Sequence, residues 1–199
     1  VESVGGTDIA TNNDISDVTM KAYLNMDSTH PGLDNISSTP VNINIMTTLL
    51  ARALELDSEV VSDVNTMKTN ITTKQNILIG NLDISTNTVF TDNYLIRLIP
   101  DMGYLKAAAS ILTIINIMKG DASYTYSDAL DTLAEVLKTA SGIASGSSML
   151  DSTNISSTLT SMSVTGDVKS YIESAITCIE DIIATSGTEI IPDLERLKY

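Results

Sequence analysis

Leu105-Lys106-Ala107-Ala108-Ala109-Ser110-Ile111-Leu112-Thr113-Ile114-Ile115-Asn116-Ile117-Met118 is the stretch on which the fold turns. Its apolar run is about 14 residues long, whereas a helix that spans a bilayer takes about 20. Arg97, Asp101 and Lys106 interrupt any extension toward the N-terminus. The segment therefore predicts a buried central helix over 101–118, with Gly120 placed to end it.

Downstream, Ser127-Asp128 opens a helix whose apolar face is Leu130, Leu133, Ala134, Val136 and Leu137. It fades into Ser141-Gly142-Ile143-Ala144-Ser145-Gly146-Ser147-Ser148, a composition that predicts a flexible connector. A Ser/Thr tract continues to Thr165. The last clear helix starts at Thr165 or Gly166, with Asp167 where the helix dipole favours an anion. Its face is Val168, Ile172, Ala175, Ile176, Ile179 and Ile183, and Gly187 ends it.

Upstream, Thr91-Asp92-Asn93 can cap a short helix running to Ile99, before Pro100. Residues 76–91 are rich in β-branched side chains and carry a Gly80-Asn81 turn signal. A small β-hairpin fits them, although a long irregular loop explains the same letters. From Val41 apolar residues recur at three and four: Met46, Leu49, Leu50, Ala53, Leu56, Val60, Val64, Met67 and Ile71. That spacing predicts one helix over 43–72, about 45 Å long at about 1.5 Å per residue.

Residues 1–41 hold Glu2, Asp8, Asp14, Asp17, Asp27 and Asp34 against Lys21 alone, with Gly5-Gly6 and Pro31-Gly32 as breakers. They read as an extended acidic arm with at most one short helix near 16–24, an arm that clings to a surface and forms no core. The expected architecture is all-α, a bundle of four to five helices over 42–199 with the arm at 1–41.

Composition narrows the function. The chain has 199 residues, 43% of them hydrophobic, enough for one sizeable core. Eleven Lys and Arg against 25 Asp and Glu leave a net charge of −14. Nucleic acid binding runs on clustered cations, so it is an unfavoured partner, as is an anionic membrane surface. Ser and Thr make up 48 of 199 positions, and Trp is absent. Each end is compatible with a cut: the chain starts at Val1, and Leu194-Glu195-Arg196-Leu197-Lys198 before Tyr199 reads as a helix broken in its middle. The first 20 residues lack the basic start and continuous apolar stretch of a signal peptide.

Candidate chemistry is thin. With Cys178 as the single cysteine, neither an intrachain disulfide nor a multi-thiolate zinc site can form. Cys178 lies between Ile176 and Ile179, with Glu180 and Asp181 beside it and no cation within a turn, and reads as a small core residue. His30, the single histidine, precedes Pro31-Gly32 and reads as a turn residue, since a catalytic His needs a positioned partner. Gly142-Ile143-Ala144-Ser145-Gly146 misses the spacing of a nucleophile elbow, and no phosphate-cradling glycine loop occurs. Asp8, Asp14 and Asp17 with Asn12 and Asn13 could share a hard cation, but the 12-residue calcium loop with its Gly and Glu is missing. Asp128 or Asp131 would serve an enzyme only beside an acid of another helix. Sequons at Asn35, Asn70 and Asn154 matter only in a glycosylating compartment.

No catalytic, cofactor-binding or metal site is therefore assigned. The expectation is a non-catalytic structural or assembly subunit, of a virion or of an extracellular or cell-surface assembly. It would act by helix–helix packing and self-association with protein partners, as a homo-oligomer or larger assembly. The alternative is a secreted monomeric binding module, an adhesin or effector domain, that presents polar loops 76–91 and 141–165.

Overall fold

The computed structural model describes residues 2–4, 19–21, 44–57, 64–84, 102–121 and 123–186. Two short strands, β1 (Glu2–Val4) and β2 (Thr19–Lys21), precede six helices among these residues. The helices are α1 (Ile45–Leu56), α2 (Val64–Leu82), α3 (Met102–Gly120), α4 (Tyr126–Leu137), α5 (Ile155–Ser161) and α6 (Gly166–Ser186). The fold is a helical bundle. Helix α3 packs on α6 and α4, α1 packs on α4 and α2, and α5 lies against α6.

Helix α3 is the centre that its sequence predicts. Ala107, Ile111, Ile114, Ile115 and Met118 are buried on it, at three- and four-residue spacing, against Leu130, Leu133 and Leu137 of α4 and Ile172, Ile176 and Ile179 of α6 in one continuous core. Its other side is not bare: Leu105, Ala108, Ala109, Leu112 and Ile117 are half-buried against the same core. The apolar circumference of α3 is thus largely covered within the chain. No helix among the described residues is long and apolar enough to cross a membrane.

Starts are set by reciprocal caps. Asn44 accepts the Thr47 N–H at 2.9 Å, and Thr47 Oγ1 accepts the Asn44 N–H at 2.9 Å. Thr125 and Asp128 repeat the arrangement before α4, at 3.1 and 3.0 Å. The hydroxyl and the backbone N–H of Thr125 hold the Asp128 carboxyl below its ordinary range.

The predicted single helix over 43–72 is two. Helix α1 stops at Leu56, and the carboxylate of Asp57 meets Lys74 of α2 and Lys138 beyond α4, the latter at 3.1 Å. An anion at a helix C-terminus opposes the dipole, and two cations from neighbouring elements compensate it there. The periodicity runs on only because α2 also turns an apolar face, Ile71, Leu78 and Leu82, to the core.

The hairpin reading fails over 76–82, which are the last two turns of α2; residues 85–91 lie outside the described residues. Helix α2 closes with Asp83 at φ 51 and with Ile84 N–H donating to Ile79 O at 3.1 Å, so the chain reverses at Asp83 and not at Gly80-Asn81. Helix α5 ends alike, with Ser163 at φ 61 and Val164 N–H donating to Leu159 O at 2.9 Å. This short helix inside the Ser/Thr tract has no counterpart in the sequence reading.

In the arm, residues 19–21 are a strand and not the short helix expected near 16–24. Strand β2 pairs antiparallel with β1, Glu2 opposite Lys21, Ser3 opposite Met20 and Val4 opposite Thr19. It sits on α1, with Met20 packed against the core. The remainder of residues 1–43, the expected short helix before Pro100, and the region after Ser186 lie outside the described residues.

Candidate functional site

The most developed polar centre is Asn81, the penultimate residue of α2 and buried. Its Nδ2 group donates to Leu137 O and to Thr139 O, both at 2.8 Å, so it caps the last carbonyl of α4 and holds the chain two residues beyond it. Its Oδ1 accepts Ser141 Oγ–H at 2.8 Å and Ser141 N–H at 3.2 Å. Its backbone carbonyl accepts Met149 N–H at 2.7 Å and the Ser148 hydroxyl at 3.3 Å. One residue thereby ties both ends of the 141–149 stretch to α2. The Gly/Ser tract expected to be a flexible connector is anchored, with Gly142 and Gly146 at φ 69 and 84 making the turns between the anchors.

A groove of about 400 Å³ opens beside Asn81. Thr73, Asn76, Ile77 and Gly80 of α2 form one wall, and Ala140, Ser141, Gly142 and Ile143 form the other. None of these side chains is ionisable. The groove offers amide and hydroxyl groups over an aliphatic floor, which suits neutral recognition and provides no proton-transfer pair.

Ionisable groups collect elsewhere, between elements. Arg52 of α1 reaches α4: its Nε stands 2.7 Å from Asp131 Oδ1 as a charge contact, while the directed bond is from Nη2 to Asp131 Oδ2 at 3.2 Å. Arg52 also donates to Ser127 Oγ and, at 3.0 Å, to Glu55 Oε2, and Glu55 Oε1 receives Lys21 Nζ at 2.9 Å. A chain Lys21–Glu55–Arg52–Asp131 therefore joins β2, α1 and α4. Burial raises the Asp131 carboxyl more than Arg52 lowers it, with Glu55 and Asp128 adding to the rise. Burial also works against Glu55, but the bonds from Lys21 and Arg52 prevail and hold it low.

Further pairs do the same for other contacts. Lys106 of α3 meets Glu180 of α6 at 2.8 Å, and Glu180 also accepts Ser152 N–H at 3.1 Å. Burial opposes the charge of Glu180, and the Lys106 and Ser152 bonds outweigh it, leaving its carboxyl low. Burial opposes the charge of Asp57 likewise, and Lys74 with Lys138 outweighs it.

No family model, curated protein or solved structure matches the chain in comparison.

The sequence candidates fall as follows. His30, Asn35 and the set Asp8, Asn12, Asn13, Asp14 and Asp17 lie outside the described residues. Among the described residues no cluster of three His, Cys, Asp or Glu could hold a metal ion. Cys178 is exposed, and the core reading of it was wrong. At 100° per residue Ile176 and Ile179 point inward together, and Cys178 shares the outer face with Thr177. Ser145 is exposed in the loop. Asp131 does meet an acid of another helix, Glu55, but Arg52 binds both and neither lines the groove. Asn154 Nδ2 donates to Ser148 O at 2.9 Å at the start of α5, and Asn70 lies within α2. Asn81 was missed because Gly-Asn is a turn signal in sequence, and the carbonyls its amide caps are 56 and 58 positions away.

Proposed function

We propose that the chain is a non-catalytic structural subunit, a building block of a virion or a cell-surface assembly, that works by helix–helix packing and self-association. The observation that carries this reading is the state of the outer hydroxyls on α5 and α6. Thr160, Ser161, Ser174, Thr177 and Thr185 are exposed, and each donates to a carbonyl of its own helix, at 2.8, 3.1, 2.9, 3.1 and 2.7 Å. Their donors are satisfied before any partner arrives, so covering them with protein strands little hydrogen bonding. A surface of this kind packs helices without a large exposed apolar patch. The charged side chains among the described residues support the same reading, because they join elements of the fold and none lines the groove beside Asn81.

The test is sedimentation velocity over a wide range of concentration. Species heavier than one chain, growing with concentration, are expected. A compact monomer throughout, with no co-purifying partner, contradicts the reading.

The groove beside Asn81 favours a second reading, a secreted binding module that presents the loop portion 141–149 of the 141–165 stretch to a receptor, since helix α5 occupies 155–161 of that stretch. Residues 76–82 enter it as a helix wall and not as a loop. Exchange of residues 141–149 would then abolish receptor binding while helicity stays unchanged.

A further inference from the structure

Helix α2 turns Thr73, Asn76, Ile77 and Gly80, at three- and four-residue spacing, to one wall of the groove beside Asn81. The outer hydroxyls of α5 and α6 are spent on their own helices, but here the polar groups are free. Among the described residues neither Thr73 Oγ1 nor the Asn76 amide has a hydrogen-bond partner, and the Gly142 N–H on the facing wall is unengaged as well.

Gly80 is an independent sign. It is a helical residue without a positive φ, and a Cβ at this position would meet nothing within 4 Å. Glycine costs a helix stability relative to alanine. Neither backbone conformation nor packing among the described residues requires it here. Its effect is to keep the wall bare, so that a ligand can approach the helix backbone closely.

The lining decides the class of occupant. No side chain in it is ionisable, so a charge on the ligand would be covered without a partner. The facing wall turns at Gly142, φ 69, and leaves no extended edge to which a peptide strand could add. Ile77 and Ile143 are half-buried and form an open aliphatic floor, with no enclosed pocket for an anchoring side chain. From Thr73 to Gly80 the wall is about 10 Å long, at about 1.5 Å per residue. Free hydroxyl, amide and N–H groups beside aliphatic side chains match a ligand that is uncharged, dense in hydroxyls and lined with C–H on its ring faces.

We propose that the groove between α2 and residues 140–143 binds a neutral saccharide, one or two uncharged sugar units of a receptor's glycan, with Thr73 and Asn76 bonding its hydroxyls and Gly80 admitting its ring. This rests on the binding-module reading above and names its ligand. A few neutral hydrogen bonds without an aromatic ring to stack on give binding in the millimolar range, so the sugar leaves on purification.

Saturation-transfer NMR on the whole chain tests it, with maltose, lactose and N,N′-diacetylchitobiose as probes and a capped, uncharged tripeptide as the control. Transfer to at least one disaccharide is expected, saturating at millimolar concentration. Gly80→Gln fills the groove from a helical position with room for a side chain, so transfer should vanish while helicity by circular dichroism is kept or rises. Asn76→Leu, exposed on the same wall, should lose it too. Transfer to none of the sugars, or transfer that both folded variants retain, overturns the proposal. Transfer to the tripeptide alone puts a peptide in the groove and also overturns it. Receptor binding that is lost on exchange of residues 141–149, in a protein that takes none of the sugars, overturns the saccharide and leaves the binding-module reading standing. Receptor binding that survives the exchange overturns that reading whatever the sugars do.

Discussion

The side-chain oxygen of Asn81 on α2 lies 2.8 Å from the hydroxyl of Ser141, 60 positions along the chain, while the amide nitrogen of the same residue binds the end of α4. A helix terminus and a loop are thus closed by one buried side chain. Asn81→Ala leaves the carbonyl of Leu137 and the Ser141 groups without this partner. The expected loss is about 2–4 kcal/mol, the sum of buried hydrogen bonds broken on one side. Urea unfolding measures it, and amide exchange should accelerate in 139–149 while the α3–α6 contact stays protected.

Ser110 is the opposite case. It is buried on α3, and its hydroxyl has no hydrogen-bond partner. Ser110→Ala removes an unmet polar group from the core without changing its shape much, and should raise stability by about 1 kcal/mol. A lower urea midpoint for this variant would contradict the packing described around α3.

Ser163 closes α5 with φ 61, a conformation in which a Cβ is costly. Ser163→Gly relieves the crowding and loses some chain entropy in exchange, for a net gain of about 0.5–1 kcal/mol. The melting temperature should rise by a few degrees. Ser163→Val should lower it.

Acid acts oppositely on two neighbours. Glu55 is held below its ordinary value, so its contribution is complete above about pH 4.3 and is lost as pH falls through the depressed folded value. Asp131 is raised, so its ionised form is disfavoured in the fold and acid relieves that penalty. At pH 7, Glu55→Gln should lose about 0.2–1 kcal/mol, as partly exposed pairs do, and Asp131→Asn should stay within about 0.5 kcal/mol of the parent. The Glu55→Gln deficit should shrink toward zero near pH 3. Urea unfolding of both variants at the two pH values decides this.

The helices whose apolar residues keep one period from end to end are the ones the sequence makes legible. Helices α3, α4 and α6 are set by runs such as Ile111, Ile114, Ile115 and Leu130, Leu133, Leu137, whose spacing matches the helical period. What escapes is decided by contacts remote in sequence. The break after Leu56 depends on Lys74 and Lys138 meeting Asp57, and Asn81 acts through carbonyls of another helix. Helix α5 is only seven residues long and buries just Ile155, Thr158 and Leu159, too few for a period to show among hydroxyls. Strand β2 has three residues, and its partner strand β1 lies at the start of the arm, 14 residues before it.

Self-association is tested most directly by native mass spectrometry of the protein recovered intact from its natural setting. Multiples of the chain mass, or the chain in complex with other structural proteins, are expected, with no small molecule retained. A lone chain carrying a stoichiometric small ligand would contradict it.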